Sequence, residues 1–164
     1  MAPPLARKAN LFNFLDKDID FGKNFLGQPI LGSHKSWRGA ILGMSVGFLV
    51  VLVQGYLYQF PAIQRISLLD YKQINIFLFG FLISLGAIFG DLLFAFIKRR
   101  LKMPPGARFI PFDQTNYVIG SAIFLTAILK IEIIIWITLF ILTFLLHIVA
   151  NRIGYHLKLN RAKW

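Results

Sequence analysis

The chain has 164 residues, 57% hydrophobic and 15% charged, with a mean hydropathy of +0.65, which excludes an ordinary soluble domain and points to an integral membrane protein. It holds no cysteine, so disulfides and thiolate metal sites are excluded. The net charge of +11 is gathered between apolar runs and forms no stripe on a polar face, which argues against a nucleic-acid partner.

Residues 1–39 carry six Lys/Arg and three Asp and no apolar stretch of signal-peptide length. Asp16, Asp18 and Asp20 form an acidic comb that lacks the central Gly and terminal Glu of an EF-hand, so a solvated, metal-free loop is expected. In "LGSHKSWRGA" (31–40), Gly27 and Gly32 have the separation of a phosphate loop. The Gly-Lys-Ser ending is missing and no buried strand precedes it, so a Walker motif is rejected. Lys35 still offers a point charge and Arg38 a fork for phosphate oxygens. Trp37 is either an interfacial anchor or a base-stacking ring.

Apolar runs of about 20 residues cross a bilayer as helices. The first is 40–60 and the second 74–97, with Asp91 as its single charge. The third begins at 112 or 116 and ends at 129, so it is short or starts at the interface; the fourth is 133–150, after a tight turn at 130–132. The predicted fold is all-α, a polytopic transmembrane bundle of four spans. An N-terminal segment (1–39) precedes the bundle (40–150), which carries a catalytic loop at 98–115, and a basic tail (151–164) follows. Six Lys/Arg precede the first span, two separate spans one and two, five lie between Lys98 and Arg108, one sits in the last turn and four follow Ala150. The positive-inside rule therefore puts both termini and the 98–108 loop in the cytoplasm. Gly39, Gly43 and Gly47, like Gly86 and Gly90, recur every fourth residue, a spacing that lets helices approach closely in lipid.

Asp91 lies six residues before Ile97, about 9 Å from the cytoplasmic end of its helix. An ionised carboxylate facing lipid there costs roughly 2.5–3.5 kcal/mol, so it should face the bundle interior or a wet cavity. Two readings are open. One is a buried polar contact, with His147 or Asn151 as partner. The other is ligation of a cation, since carboxylates with water and phosphate oxygens are the usual company of magnesium. Asp113, in "GARFIPFDQTNYVIGS" (106–121), puts a second carboxylate near the same interface, and Lys98, Arg99, Arg100, Lys102 and Arg108 lie between the two. Carboxylates for a metal beside cations for phosphate are what phosphoryl or nucleotidyl transfer needs. The same five cations are also what topology alone would supply.

"LGSHKSWRG", "GDLLFAFIKRRL" and "PFDQTNYVIGS", with "DFGKNFLGQPILG" (20–32), together resemble the CDP-archaeol synthases, relatives of the CDP-diacylglycerol synthases. The resemblance runs from about residue 3 to the end of the fourth span. It implies a cell-membrane cytidylyltransferase that joins CTP to a lipid phosphate, releases pyrophosphate and requires Mg2+; in archaeal members the lipid is digeranylgeranylglyceryl phosphate. Carried over residue by residue, it implies Asp91 and Asp113 as metal ligands and, with Lys35 and Lys98, as catalytic residues. It implies Lys35, Ser36, Arg38, Lys98, Arg99, Arg100, Gln114 and Asn116 as substrate-binding. The family's second aspartate after the Asp-Gln pair is Asn116 here, and its small hydroxyl four residues after the Gly-Asp aspartate is Ala95. A further helix usual before residue 2 would place the N-terminus outside. The expected partners are CTP, the lipid phosphate and membrane lipids, with no nucleic acid and no reading of oligomeric state. Rival readings are a non-catalytic scaffold homologue and a small ion- or proton-coupled transporter using Asp91. The transporter lacks acids deeper in the bilayer and repeated half-helices.

Overall fold

The computed structural model describes residues 13–67, 69–104, 107–129 and 131–156. Its frame is α1 (Trp37–Leu57), a short α2 (Pro61–Ile66), α3 (Ile76–Arg100), α4 (Phe112–Leu129) and α5 (Ile133–His156). Local chemistry fixes the helix starts. Ser36 caps α1 by accepting from the Gly39 N–H, and Asn75 caps α3 by accepting from Phe77 and Leu78 N–H. The basic triplet Lys98–Arg99–Arg100 continues α3 for a further turn beyond the expected end at 97. Its cations complement the negative helix C-terminus. The expected tail from 151 onward is in part helix, because α5 runs on to His156; residues 157–164 lie outside the described residues.

Among the described residues, three helices are long and apolar enough to cross a bilayer: α1, α3 and α5. This marks a membrane protein; the number of such helices is one fewer than the four spans expected. The reason is α4, whose 18 residues reach about 27 Å and whose first turn spends its length on Asp113, Gln114, Thr115 and Asn116. The expected hairpin of the last two runs is present, since α5 packs on α4 after the short connection.

The helix α3 lies between α1 and α4, and α5 packs on the far side of α4. Glycine spacing sets the two closest approaches. A Cβ on Gly86 would come within 2.7 Å of Ser121 Cα, and one on Gly90 would collide with the Asn116 backbone carbonyl. On the other side, a Cβ on Gly43 would come within 2.9 Å of Ile88 Cδ1. Gly39 does not take part; its Cβ would meet only its own cap, Ser36 Oγ, at 3.6 Å. A core of Val51, Phe79, Val118, Leu125 and Trp136 ties the helices together. Large apolar side chains such as Leu49, Phe77 and Leu146 face outward, as lipid contact demands.

Before α1, a 3-10 turn (Asn13–Leu15) leads to a hairpin of β1 (Asn24–Phe25) and β2 (Gln28–Pro29), paired antiparallel with Asn24 opposite Pro29. Leu26 and Gly27 turn it with φ of 50° and 72°, the pair of positive values that a two-residue hairpin of matching twist requires.

Candidate active site

The segment entering α1 is folded back on itself. Ile19 N–H donates to Lys35 O (2.9 Å) and Trp37 N–H to Lys17 O (3.0 Å), with Asp18 opposite Ser36. Gly32, at φ 94°, opens a turn closed by Lys35 N–H on Gly32 O at 3.2 Å. Asp20 holds this loop: its carboxylate accepts from Gly22 N–H (3.0 Å), Leu31 N–H (2.8 Å) and Gly32 N–H (3.0 Å). Burial alone would raise its pKa. The backbone N–H groups together outweigh that effect and hold it below the usual carboxylate value. Asp16 pairs with the buried Arg38 at 2.8 Å. The acidic comb, expected to be a solvated loop, is thus largely built into the fold, because its two outer members neutralise or cap groups around Lys35 and Arg38.

Across the interface, α3 presents Asp91. Lys35 Nζ lies 2.7 Å from both of its carboxylate oxygens, and Asn116 Nδ2 from α4 lies 3.4 Å from Oδ1. His147 and Asn151 bond to each other at 3.0 Å on α5, so Asp91's polar contacts are with Lys35 and Asn116. A cavity of about 800 Å³ opens over this face of α3, with Lys35, Ser36, Arg38, Asp91 and Asn116 on its polar wall. Ala87, Ile88 and Leu92 are among its apolar lining. The Asp91 side chain is 44% exposed, so a ligand in the cavity can reach it. Asp91 therefore faces a cavity and not lipid, as its charge requires.

The remaining expected site residues gather at the C-terminal end of α3, outside that lining. Lys98 Nζ is 2.9 Å from both Asp113 oxygens and 2.5 Å from Ala107 O, while Asp113 also accepts from Phe109 N–H at 2.8 Å. The rings of Phe94, Phe109 and Phe112 pack beside this pair, Phe94 stacked on Phe112 at 5.1 Å. Arg100 reaches the hairpin, donating to Phe25 O, Gln28 O (3.1 Å) and Pro29 O (2.6 Å), with its guanidinium 5.1–5.3 Å from the Phe96 and Phe25 ring centres. Arg99 is buried and makes one long bond, to Pro104 O at 3.4 Å. Gln114 Oε1 is buried without a hydrogen-bond partner. Ala95 is buried in α3, so the family's hydroxyl position offers no polar atom here.

Each carboxylate expected to hold metal thus carries its own lysine. Among the described residues, no three His, Asp or Glu side chains cluster in a way that could hold an ion. Sequence reasoning missed Asp16 and Asp20 as partners of the site and Arg100 as a clamp on the hairpin. The every-second-residue spacing of the comb, which is the period of extended chain, was the available signal for the first two.

A family model described as CarS-like, CDP-archaeol synthase, matches residues 6–164. A CDP-archaeol synthase of Pyrobaculum islandicum is 36% identical over 147 residues, spanning 89% of this chain and 81% of the relative. Those of Pyrococcus furiosus (35% over 147 residues, 89% and 83%) and Methanocaldococcus jannaschii (36% over 149 residues, 89% and 82%) are similar to the same extent. No solved structure matches the chain.

Proposed function

Because the chain belongs to the CarS-like CDP-archaeol synthase family, we propose that its cavity is where CTP meets a lipid phosphate, digeranylgeranylglyceryl phosphate. Family membership makes the chain an enzyme that uses CTP to make a CDP-lipid. The observation that carries the proposal is one cavity with two chemistries: a wall of Lys35, Arg38, Asp91 and Asn116 beside a wall of small and branched apolar residues. A soluble nucleotide and a lipid head group can share such a site. The distribution of Lys/Arg supports a cytoplasmic mouth and a place in the cell membrane.

In the proposed reaction a lipid phosphate oxygen attacks the α-phosphorus of CTP. The new P–O bond forms as the α–β bond breaks, and pyrophosphate leaves with the electron pair. The attacking phosphate is ionised at neutral pH, so no strong general base is needed. Lys35 and Arg38 orient phosphate oxygens at the polar wall, and Ser36 fixes the turn from which they project. Neutralisation of negative charge on the triphosphate is the chemistry that a divalent cation such as magnesium would supply when bound here. Asp91 and Asn116 are the residues that would hold it, Asn116 through its amide oxygen once the amide is turned over. This donor set fits, because magnesium takes one or two carboxylates and fills its shell with phosphate and water. Lys35 would have to leave Asp91 for this, as Lys98 would have to leave Asp113; Asp91 lines the cavity and Asp113 does not, so we assign Asp113 to holding Lys98 and the Phe109 N–H just before α4. The transporter reading is weaker, because the family to which the chain belongs makes a CDP-lipid.

The test is cytidylyl transfer by purified protein in lipid with magnesium and α-labelled CTP, offering diether phosphate and phosphatidic acid in parallel. CDP-lipid formed by wild type and absent from Asp91→Asn supports the proposal, and the preferred lipid names the substrate. CTP binding without product from either lipid supports the scaffold.

A further inference from the structure

Two tight turns in the segment before α1 carry residues that do not suit them. The turn Asp20–Lys23 is closed by Lys23 N–H on Asp20 O at 2.9 Å, with Phe21 and Gly22 at φ of 52° and 70°. The hairpin tip repeats the arrangement with Leu26 and Gly27, at 50° and 72°. Left-handed backbone at the first central position of such a turn favours Asn, Asp or Gly, because a larger side chain crowds its own carbonyl there. This chain places Phe21 and Leu26 instead, and both stand in the open, 66% and 81% exposed. In water such a residue is unfavourable twice over, by backbone conformation and by exposed apolar area.

The position of the hairpin says what covers them. Phe25, next to the tip, has its ring 6.4 Å from that of Phe96, in the last apolar turn of α3. One turn on, Arg100 donates to the carbonyls of Phe25, Gln28 and Pro29. The hairpin is therefore pinned at the level where α3, a helix of membrane length, passes from its apolar run to its cations. Residues 21–31 contain no carboxylate, and their one charge is the exposed Lys23, between the two apolar side chains in sequence. Bulky apolar groups beside a cation at that level match the apolar boundary and anionic head groups of a bilayer surface. We propose that residues 21–31 are an interfacial foot on the leaflet at the C-terminal end of α3, with Phe21 and Leu26 inserted below the head groups. The inference rests on α3 crossing a membrane and not on the cytidylyltransferase reading. Its consequence for the cavity is positional. Asp20 accepts from Leu31 and Gly32 N–H, which ties the foot to the turn that carries Lys35 and sets that turn at head-group depth.

The chain has no cysteine, so Phe21→Cys and Leu26→Cys each take a nitroxide label without background. The full chain is placed in nanodiscs of phosphatidylcholine and phosphatidylglycerol. Label relaxation is then measured with dissolved oxygen, which concentrates in the bilayer, and with a polar nickel chelate, which stays in water. Both labels should show an oxygen-to-nickel accessibility ratio above that of the free label in buffer. A ratio at the buffer value for either label puts that turn in water and overturns the proposal. Low access of both reagents to either label means that protein covers it, a second copy of the chain included, and overturns lipid as the occupant. Leu26→Asn gives a readout without a probe. Asn suits left-handed backbone, so if Leu26 only filled the turn, amide hydrogen exchange across residues 22–31 would slow. With the foot in lipid, exchange there should instead speed up in nanodiscs, because the anchor is lost while the turn is kept. Slower or unchanged exchange refutes the foot.

Discussion

Lys35 and Asp91, 56 positions apart in sequence, meet with Nζ 2.7 Å from both carboxylate oxygens on the wall of one cavity. The contact joins the entry to α1 with the middle of the polar face of α3, so it both closes the fold there and neutralises a charge at bilayer depth. For a metal–nucleotide to use Asp91, Lys35 must give it up and take a phosphate instead. Asp91→Asn should therefore lower cytidylyl transfer by about a hundredfold or more, on the scale of losing one preorganised electrostatic contact. Lys35→Met should raise the KM for CTP while leaving the magnesium requirement intact. Steady-state kinetics over a magnesium titration checks both, and a Lys35→Met enzyme with unchanged KM refutes the exchange.

Asp113 separates from Asp91 on the same measurement. It is bonded to Lys98 and to Phe109 N–H and is absent from the cavity lining. Asp113→Asn should leave the magnesium activation constant within about threefold of wild type and lower stability by about 2 kcal/mol, because the largely buried Lys98 loses its counter-charge. Asp91→Asn should shift that constant by more than tenfold. Replacing both members, Lys98→Met with Asp113→Leu, should recover stability without restoring turnover. A magnesium constant that moves equally for both aspartates makes them joint ligands.

The helices were legible because apolar runs of membrane length leave few alternatives, and the glycine spacing announced the α3 contacts at Gly43, Gly86 and Gly90. The third run, 112–129, reads as a full span because hydropathy is averaged over its length, while α4 concentrates its polar residues in one turn. Asp91 in a cavity was legible from the cost of a charge in lipid. The pairing of each acid with its own lysine was not, since Lys98 lies near both aspartates in sequence and only the tertiary path decides between them. Arg100 was unreadable for a related reason: three adjacent cations on one helix end point in different directions, and the hairpin that captures one of them forms 71–75 residues away.

Arg100 offers a direct check of that clamp. Its loss frees three hairpin carbonyls and two aromatic faces, with no cavity residue touched. Arg100→Met should raise hydrogen exchange across residues 22–31 while exchange in α4 and α5 stays as in wild type. Uniform exchange changes, or none, would remove Arg100 from this role.

Gly90 tests the interface that sets Asn116 beside Asp91. A Cβ there runs into the Asn116 carbonyl, which is backbone and cannot swing aside. Gly90→Ala should therefore cost about 1–3 kcal/mol of stability, the usual range for overpacking, and depress turnover more than its melting shift accounts for, because Asn116 moves with α4. Gly39→Ala is the control, with only Ser36 Oγ nearby at 3.6 Å, and should melt close to wild type.

Asp20 predicts a pH dependence whose sign follows from its hydrogen bonds. Three backbone N–H groups favour the ionised carboxylate in the fold, so its folded pKa lies below that of the unfolded chain. Its contribution is fully present above the unfolded value, about 3.9, and is lost as pH falls through the folded value. Asp20→Asn keeps the shape and can accept with one oxygen only, so it should melt below wild type at pH 7. The difference should narrow as pH drops below about 4, where wild-type Asp20 also becomes neutral. Because the same N–H groups belong to Leu31 and Gly32, loosening them should also free the turn that carries Lys35, and the KM for CTP should rise at pH 7. Melting curves for the two proteins from pH 3 to 8 decide it: a constant gap across that range means the carboxylate charge contributes nothing to holding the loop.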